Sequence, residues 1–381
     1  MRILFVSSEY PPITDGIGAY VASVAPALAA RGNSVHVLSC VRGQESSDVV
    51  EAGVHVHRRG ELRLRGLERV VRARQVAERV RRSLSCWVES RRLNERFDVV
   101  EAPDWMAEGL LVHGAPIVAH LHTPIELAAL GSGTPVTRAI RAADRLERMA
   151  VARARMVTAP SRLILDSLRD WIPRDVDKRV VPYPVDLERW AAVPPVADGP
   201  PVILFVGRLE ARKAPEVLVD AGGSLPGAQL VFVGRSEDQR DGIPYRTWLE
   251  RRAAAVGATC RFVDHIARDD LISLYAEAHV VAIPSMYDNF PMVGLEALAS
   301  ARPVVCTDKT GTAELLDGSS AGAVVPAGDA EALARALRPF VFDSAVASAA
   351  GQEGRRLVAA QCAPERIAEK REACYADVVK R

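Results

Sequence analysis

No apolar run in this 381-residue chain approaches the roughly 18 residues that a membrane span needs. Neither sign of charge is in excess. Lys and Arg number 49 against 48 Asp and Glu, a formal net charge of +1. That balance leaves no whole-chain argument for nucleic acid as a partner. Cysteine is sparse and scattered: Cys40, Cys86, Cys260, Cys306, Cys362 and Cys374. No two form a Cys-x-x-Cys pair, and no His is spaced to complete a zinc site. They read as reduced thiols of a cytoplasmic protein. The opening MRILFVSSEYPP has one Arg and a short apolar run, then Ser, Glu and Pro at once. That is a first strand and loop, not a signal peptide.

What is present is the profile of a globular protein with two domains and ample core. Hydrophobic residues make up 49% and charged residues 25%. Ile3–Val6 reads as a strand, Ser7–Gly18 as a turn-rich loop, Ala19–Arg31 as a helix and Val35–Leu38 as the next strand. One β-loop-α-β unit implies a parallel sheet with helices on its faces. The loop after the first strand is where such folds bind ligands. Gly16 and Gly18 there would let backbone approach a phosphate or sugar, although most Gly-x-Gly pairs are only turns. Strands at Phe97–Glu101, Pro116–Leu121 and Met156–Ala159 and a helix at Val136–Ala154 follow. His120 and His122 share a face of an extended strand. His122 lies nearer the strand end, where a ligand would sit; a hydrogen-bonded structural His is the alternative.

Arg58–Arg96 stands apart, with thirteen Arg against five Glu and apolar residues at helical spacing. It reads as amphipathic helix with a basic outer face. That face suits either solvent or an acidic membrane surface, which would make the protein peripheral to the inner membrane face. Tyr183–Pro201 holds five prolines without periodicity and reads as a linker. The alternation of β and α then restarts at Val202–Val206 and continues through strands at Gln229–Val233, Arg261–Val263, Val280–Pro284, Pro303–Cys306 and Ala323–Val325. The expected organisation is a first domain over 1–184, a linker over 185–200 and a second domain over 201–363. Ala330–Val341 and Pro364–Lys380 are predicted helices.

Two stretches of the second half carry chemistry. Asp288–Glu296, DNFPMVGLE, runs from a strand end into a helix predicted over Met292–Ala299. Asn289 is the expected N-cap, with Pro291 in the first turn. Helix amides and dipole favour a bound anion there, phosphate above all. Glu296 falls among apolar residues, where a carboxylate is costly unless satisfied. Two vicinal hydroxyls, such as those of a ribose, would satisfy it, and so would a neighbouring side chain. In the loop after Val202–Val206, Arg208 and Lys213 offer a fork and a point charge that suit a diphosphate. Glu210 nearby could equally pair with one of them. Asp175-Val176-Asp177 matches the Asp-x-Asp of metal-dependent sugar transferases, but sits in a charged turn and reads as solvated.

Taken together, the stretches YPPITDGIGAYV, VPYPVDLERW, VGRLEARKAPEVLVDA, FVDHIARDDLISLYAEAHVVAIPS and DNFPMVGLEALASARPVVCTDKTGTAELL resemble the retaining GT-B glycosyltransferases of family GT4. The resemblance spans nearly the whole chain and is faint between about 41 and 98. It implies two doubly wound Rossmann-like α/β domains facing a cleft, with the C-terminal helix (364–381) crossing back to the first. The last stretch matches the family's E-x7-E motif, with Asp288 in the first Glu position and Glu296 in the second. Glu296 would then hold ribose hydroxyls and Asp288 the donor sugar. The backbone of Asn289, Phe290, Pro291, Met292 and Val293 would cradle sugar and distal phosphate. Arg208 and Lys213 would neutralise the diphosphate in place of a metal, and Gly16 and Gly18 would approach it from the first domain. Asp264, His265 and Ile266 would border the nucleobase, and His122 would sit beside the reacting sugar. Acceptor contacts are expected at Glu9, Tyr10, Asp15, Trp105 and Glu126.

Three positions depart from the family's pattern. Asp288 is one methylene shorter than Glu. Tyr183-Pro184 replaces Asn-Gly. Ala301 and Thr310 stand where Gly is common. The implied reaction is retaining transfer of a sugar from a UDP- or GDP-sugar to a hydroxyl of a small-molecule or lipid-linked acceptor, with no cofactor or metal. A sugar-nucleotide epimerase and a non-catalytic nucleotide-sugar binding protein share the architecture.

Overall fold

The computed structural model describes residues 1–12, 16–64, 66, 71, 73–194, 199–236, 238–264, 266 and 270–380. They form two compact units. Unit 1 is Met1–Leu130, Thr134–Pro184 and Pro364–Arg381; unit 2 is Gly131–Gly133 and Val185–Ala363.

Unit 1 is built on eight strands: β1 (Arg2–Val6), β2 (Ser34–Val41), β3 (Ser47–Glu51), β4 (Val54–Gly60), β5 (Val99–Pro103), β6 (Ile117–His120), β7 (Met156–Ala159) and β8 (Asp177–Val180). Their order is β3-β4-β2-β1-β5-β6-β7-β8. All neighbours are parallel except the edge pair β3 and β4. A parallel strand covered on both faces must be apolar on both, and Ile3, Leu4, Phe5 and Val6 of β1 are all buried. The register pairs Ile3 with Val35 and Val99, and Pro103 with His120. The segments after β1, β5 and β6 therefore emerge at one edge of the sheet, where doubly wound folds place their ligands. Helices described here include α1 (Gly16–Ala30), α2 (Arg74–Arg92), α3 (Ile125–Gly131), α4 (Arg138–Ala152) and α5 (Arg162–Ser167). The C-terminal helix, Pro364–Lys380, packs on α1 within the same unit.

The basic stretch 58–96 is not one helix. Arg58 and Arg59 end strand β4, whose Val54 and Val56 are buried, and the helix begins only at Arg74. Residues 65, 67–70 and 72 lie outside the described set. Nor do all of the stretch's described arginines face outward. Arg79 and Arg81 are buried. Arg79 meets Glu147 at 2.6 Å, and Arg82 meets Glu61 at 2.5 Å and Glu108 at 3.3 Å. Arg58 and Arg59 pair with Glu51 and Asp48. The sequence reading missed this because most of the partners lie outside the helix. These five arginines are turned inward or paired, which withdraws them from any membrane surface.

Unit 2 opens with α6 (Leu187–Ala191), followed by a second sheet. It comprises β9 (Val202–Val206), β10 (Gln229–Val233), β13 (Thr259–Val263), β14 (Val280–Ile283), β15 (Val304–Thr307) and β16 (Gly322–Val325), ordered β13-β10-β9-β14-β15-β16 and parallel throughout. A short hairpin, β11 (Gln239–Arg240) and β12 (Ile243–Pro244), stands beside it. The helices are α7 (Pro215–Gly222), α8 (Tyr245–Val256), α9 (Leu271–Glu277), α10 (Met292–Ala299), α11 (Thr312–Leu316), α12 (Ala330–Phe342) and α13 (Ser344–Gln361).

Much of the predicted linker is structured. Asp186 caps α6 by accepting from the Arg189 amide at 3.0 Å, and Trp190 is fully buried edge-on to Tyr275. Prolines hid a short helix that its buried Trp190 anchors. Helix α13 was not anticipated at all. Its Ala- and Gly-rich sequence carries little apolar period, and its packing depends on small size instead. A Cβ at Gly351 would lie 2.0 Å from the Ala301 carbonyl oxygen. Ala301 itself has φ 54, a left-handed conformation that favours the glycine expected there.

Candidate active site

In unit 2, Gly207 follows the end of β9 and the chain turns through Arg208, Glu210, Arg212 and Lys213 before α7. A Cβ at Gly234, after β10, would sit 2.1 Å from the Gly207 carbonyl oxygen, so glycine is what lets the two strand ends close up. The stretch carrying Asp288 is zipped to the segment before α11. The Asp288 amide donates to the Lys309 carbonyl at 2.9 Å, and the Gly311 amide donates to the Asp288 carbonyl at 3.0 Å. Asp288 is buried, with Lys213 Nζ as its closest cation and Arg212 at 3.7 Å.

The expected cap of α10 is corrected. Pro291, not Asn289, is the N-cap residue, and it supplies no side-chain bond. The turn needed an extended φ/ψ, which proline adopts, and this leaves Asn289 two positions too early. The amino end of α10 is thus framed by the buried residues Asp288, Asn289, Phe290 and Pro291, with Met292 and Val293 half-buried. Glu296 lies one turn on, 5% exposed, with the Tyr275 hydroxyl 3.3 Å from Oε2.

Arg208 sits at the rim, its side chain 69% exposed and 3.2 Å from Glu210. Glu210 also holds Arg212 at 2.7 Å. Arg212 escaped the sequence reading, which took only Arg208 and Lys213 from this loop. Ile266 is half-buried, and Asp264 is exposed and paired with Arg246 at 3.0 Å. His265 and Asp15 lie outside the described residues.

In unit 1, His122 follows β6 and is buried. Its amide donates to Asp104 Oδ1 at 2.8 Å, and its Nδ1 lies 2.5 Å from the Tyr183 hydroxyl. The two rings stack at 5.6 Å and 27°. Tyr183, which the sequence marked only as a departure from Asn-Gly, is therefore the positioning partner of His122. Burial, and then the cation of Arg371, push the His122 imidazole down to about 3. It is neutral at physiological pH and offers one N–H. His120 is buried behind it, 3.0 Å from Arg371 and from the Thr158 hydroxyl.

Gly16 starts α1 with nothing within 4 Å of a notional Cβ, and Gly18 is buried. Tyr10 is buried and Glu9 half-buried. Trp105 is half-buried under the Arg79 guanidinium at 5.4 Å, and Glu126 is half-buried on α3.

A cluster of carboxylates, unnoticed in the sequence, holds these loops. Glu147 accepts from Arg79, from the Met106 amide at 3.0 Å and from the Ile125 amide at 2.9 Å. It thereby joins the turn carrying Trp105 to the helix carrying Glu126. Burial, and then Glu147, raise Asp104 to about 8. Asp104 is consequently a neutral acid at pH 7. Its contribution to stability is full below the ordinary carboxylate range and is lost as pH rises through 8. Asp104→Asn, which mimics the protonated group, should flatten the decline in melting temperature between pH 5 and pH 8. An unchanged slope would mean that Asp104 does not carry that proton. The signal available in sequence was the Asp144–Glu147 spacing on the buried face of α4.

Known proteins match this chain along its length. The Glycosyltransferase Family 4 model matches residues 14–189 and the Glycosyl transferases group 1 model residues 186–357. A glycogen synthase of Mycobacterium tuberculosis is 29% identical over 395 residues, covering 93% of this chain and 90% of that protein. A D-inositol 3-phosphate glycosyltransferase of Kineococcus radiotolerans is 31% identical over 403 residues, with the same coverages of 93% and 90%. Among solved structures, sucrose-phosphate synthase from Thermosynechococcus elongatus superposes with a TM-score of 0.79 at 23% identity, covering 100% of this chain and 99% of its own. Anabaena Alr3699/HepE, in complex with UDP and glucose, gives 0.71 at 17% identity, covering 99% and 100%.

Proposed function

Because this chain belongs to the GT4 glycosyltransferases and has their GT-B fold, we propose that it moves a sugar from a nucleoside diphosphate, UDP or GDP, to an acceptor hydroxyl with retained anomeric configuration. The observation that carries the reading is the unit 2 cluster. Three cations (Arg208, Arg212 and Lys213), a helix amino end whose N-cap proline supplies no side-chain bond and a buried carboxylate, Glu296, lie on the segments that follow the strands of unit 2. Diphosphate would take Arg208, Lys213 and the amides of α10. Ribose hydroxyls would donate to Glu296, and Asp288 would meet a sugar hydroxyl.

The bond from the anomeric carbon to the phosphate oxygen breaks, and the acceptor oxygen bonds on the same face. The acceptor proton passes to the leaving phosphate. Catalysis is positioning plus stabilisation of the leaving charge, and the cations of the loop supply it without a metal. Unit 1 would serve the acceptor, with Tyr10, Trp105 and Glu126 as contacts and neutral His122 donating to the sugar. The acceptor is a hydroxylated small molecule or lipid-linked sugar. The two relatives above carry names that differ in acceptor, so neither name fixes it.

A thermal-shift panel of UDP-, GDP-, ADP- and dTDP-sugars without added metal tests the donor side, since ligand binding raises the melting temperature by mass action. One nucleotide should stabilise the protein, and Glu296→Ala should abolish that shift. A shift that survives Glu296→Ala would remove the ribose role. An inverted product anomer by proton NMR would end the retaining assignment.

A further inference from the structure

We infer that Glu210 is a built-in rival of the donor diphosphate: it holds Arg208 when no nucleotide is bound and takes Arg208 back as the nucleoside diphosphate leaves. The inference rests on the reading of this loop as the diphosphate site and adds a residue that times occupancy of that site.

The geometry of the two pairs differs, and the difference assigns the roles. Glu210 is 6% exposed, and its backbone is fixed inside the turn. Its amide donates to the Arg208 carbonyl at 3.0 Å, and its carbonyl accepts from the Lys213 amide at 3.0 Å. Oε1 is 2.7 Å from Arg212, whose side chain is 12% exposed and also donates to the Tyr287 carbonyl at 3.2 Å. That pair is enclosed and anchored on a second side. Oε2 is 3.2 Å from Arg208, whose side chain is 69% exposed. An exposed ion pair of this kind is weak and exchanges easily. A diphosphate can therefore take Arg208, while Glu210 stays compensated by Arg212.

The charge balance points the same way. Arg208, Arg212 and Lys213 face Glu210 and Asp288, three cations against two carboxylates. The loop offers an incoming diphosphate a net charge of only one. Removing the Glu210 charge would double that, and the bound product would leave more slowly. Where product release limits turnover, kcat falls as affinity rises.

The test measures the Kd of UDP and of GDP by calorimetry for the wild type, Glu210→Gln and Arg208→Gln plus Glu210→Gln. Glu210→Gln should bind the preferred nucleotide about five- to twentyfold more tightly. It should also show a correspondingly lower product-inhibition constant and a lower kcat. The gain should vanish in the double variant, because it acts through Arg208; a purely structural role for Glu210 would not depend on Arg208. Equal or weaker binding by Glu210→Gln overturns the inference. Should that variant melt early through loss of the Arg212 contact, Glu210→Asp keeps a carboxylate while drawing it back from Arg208, and no tightening there overturns it too. If the wild type binds neither nucleotide, the donor reading itself fails. If the wild type binds and Glu210→Gln is no tighter, only the rival role fails.

Discussion

Lys213→Ala should lower kcat/KM by about 10²- to 10³-fold, the loss typical of removing one fixed group that stabilises a developing negative charge. Three features of the site support a value at the high end. The Lys213 side chain is only 17% exposed, so its charge acts where water screens it poorly. Its ammonium contacts Asp288, so alanine leaves that carboxylate with Arg212 alone, at 3.7 Å. The pocket then loses its net positive charge as the phosphate leaves. Lys213→Arg should recover little, because a planar fork does not place a point charge where the ammonium stood. Initial rates with the donor identified by thermal shift check this, on protein shown by its cooperative melting to be folded. Activity within threefold of the wild type would show that leaving-group charge is stabilised elsewhere.

The second large effect is on stability. Arg371→Met should destabilise the fold by about 3–5 kcal/mol, the usual result of stripping one partner from a buried ion pair. Arg371 and Glu101 are both buried, and Nη1 lies 3.1 Å from Oε2. Tyr20 and Tyr375 donate to the same carboxylate at 2.5 and 2.6 Å. These hydroxyls bond to the charge but cannot neutralise it. The guanidinium also donates to Thr158 at 2.7 Å and lies 3.0 Å from His120. Denaturant unfolding should therefore show a lower midpoint at unchanged slope. Adding Glu101→Gln should restore most of the loss, because the double change removes both charges. A single-variant loss under 1 kcal/mol, or no rescue, would show that the pair is not what docks the C-terminal helix. The same substitution removes one of the two causes that lower His122. Its imidazole should titrate higher by NMR, short of the ordinary value because burial remains.

The parallel strands were legible because each must be apolar on both faces. Val202–Val206 and Val280–Ile283 stand out as such runs, and the segments after them inherit the ligand-facing position. The E-x7-E spacing placed Asp288 and Glu296 at a strand end and one turn into a helix, and the structure has them there. Charge balance, the absence of a long apolar run and the doubled β/α alternation all follow from local order along the chain. What lay beyond reach is long-range. Arg79 meets Glu147 across 68 residues, and Arg371 meets Glu101 across 270. No period in the sequence announces either pair, so an arginine-rich stretch read as a solvated face although much of it is interior. Tyr183 showed only that it was not the usual Asn; its bond to His122 exists because β6 and the end of unit 1 converge in space. The identity of the residues in the loop after β9 was set by sequence. Which of three neighbouring cations is enclosed and which stays at the rim was decided only by folding, since a side chain's dielectric surroundings come from atoms distant in the chain.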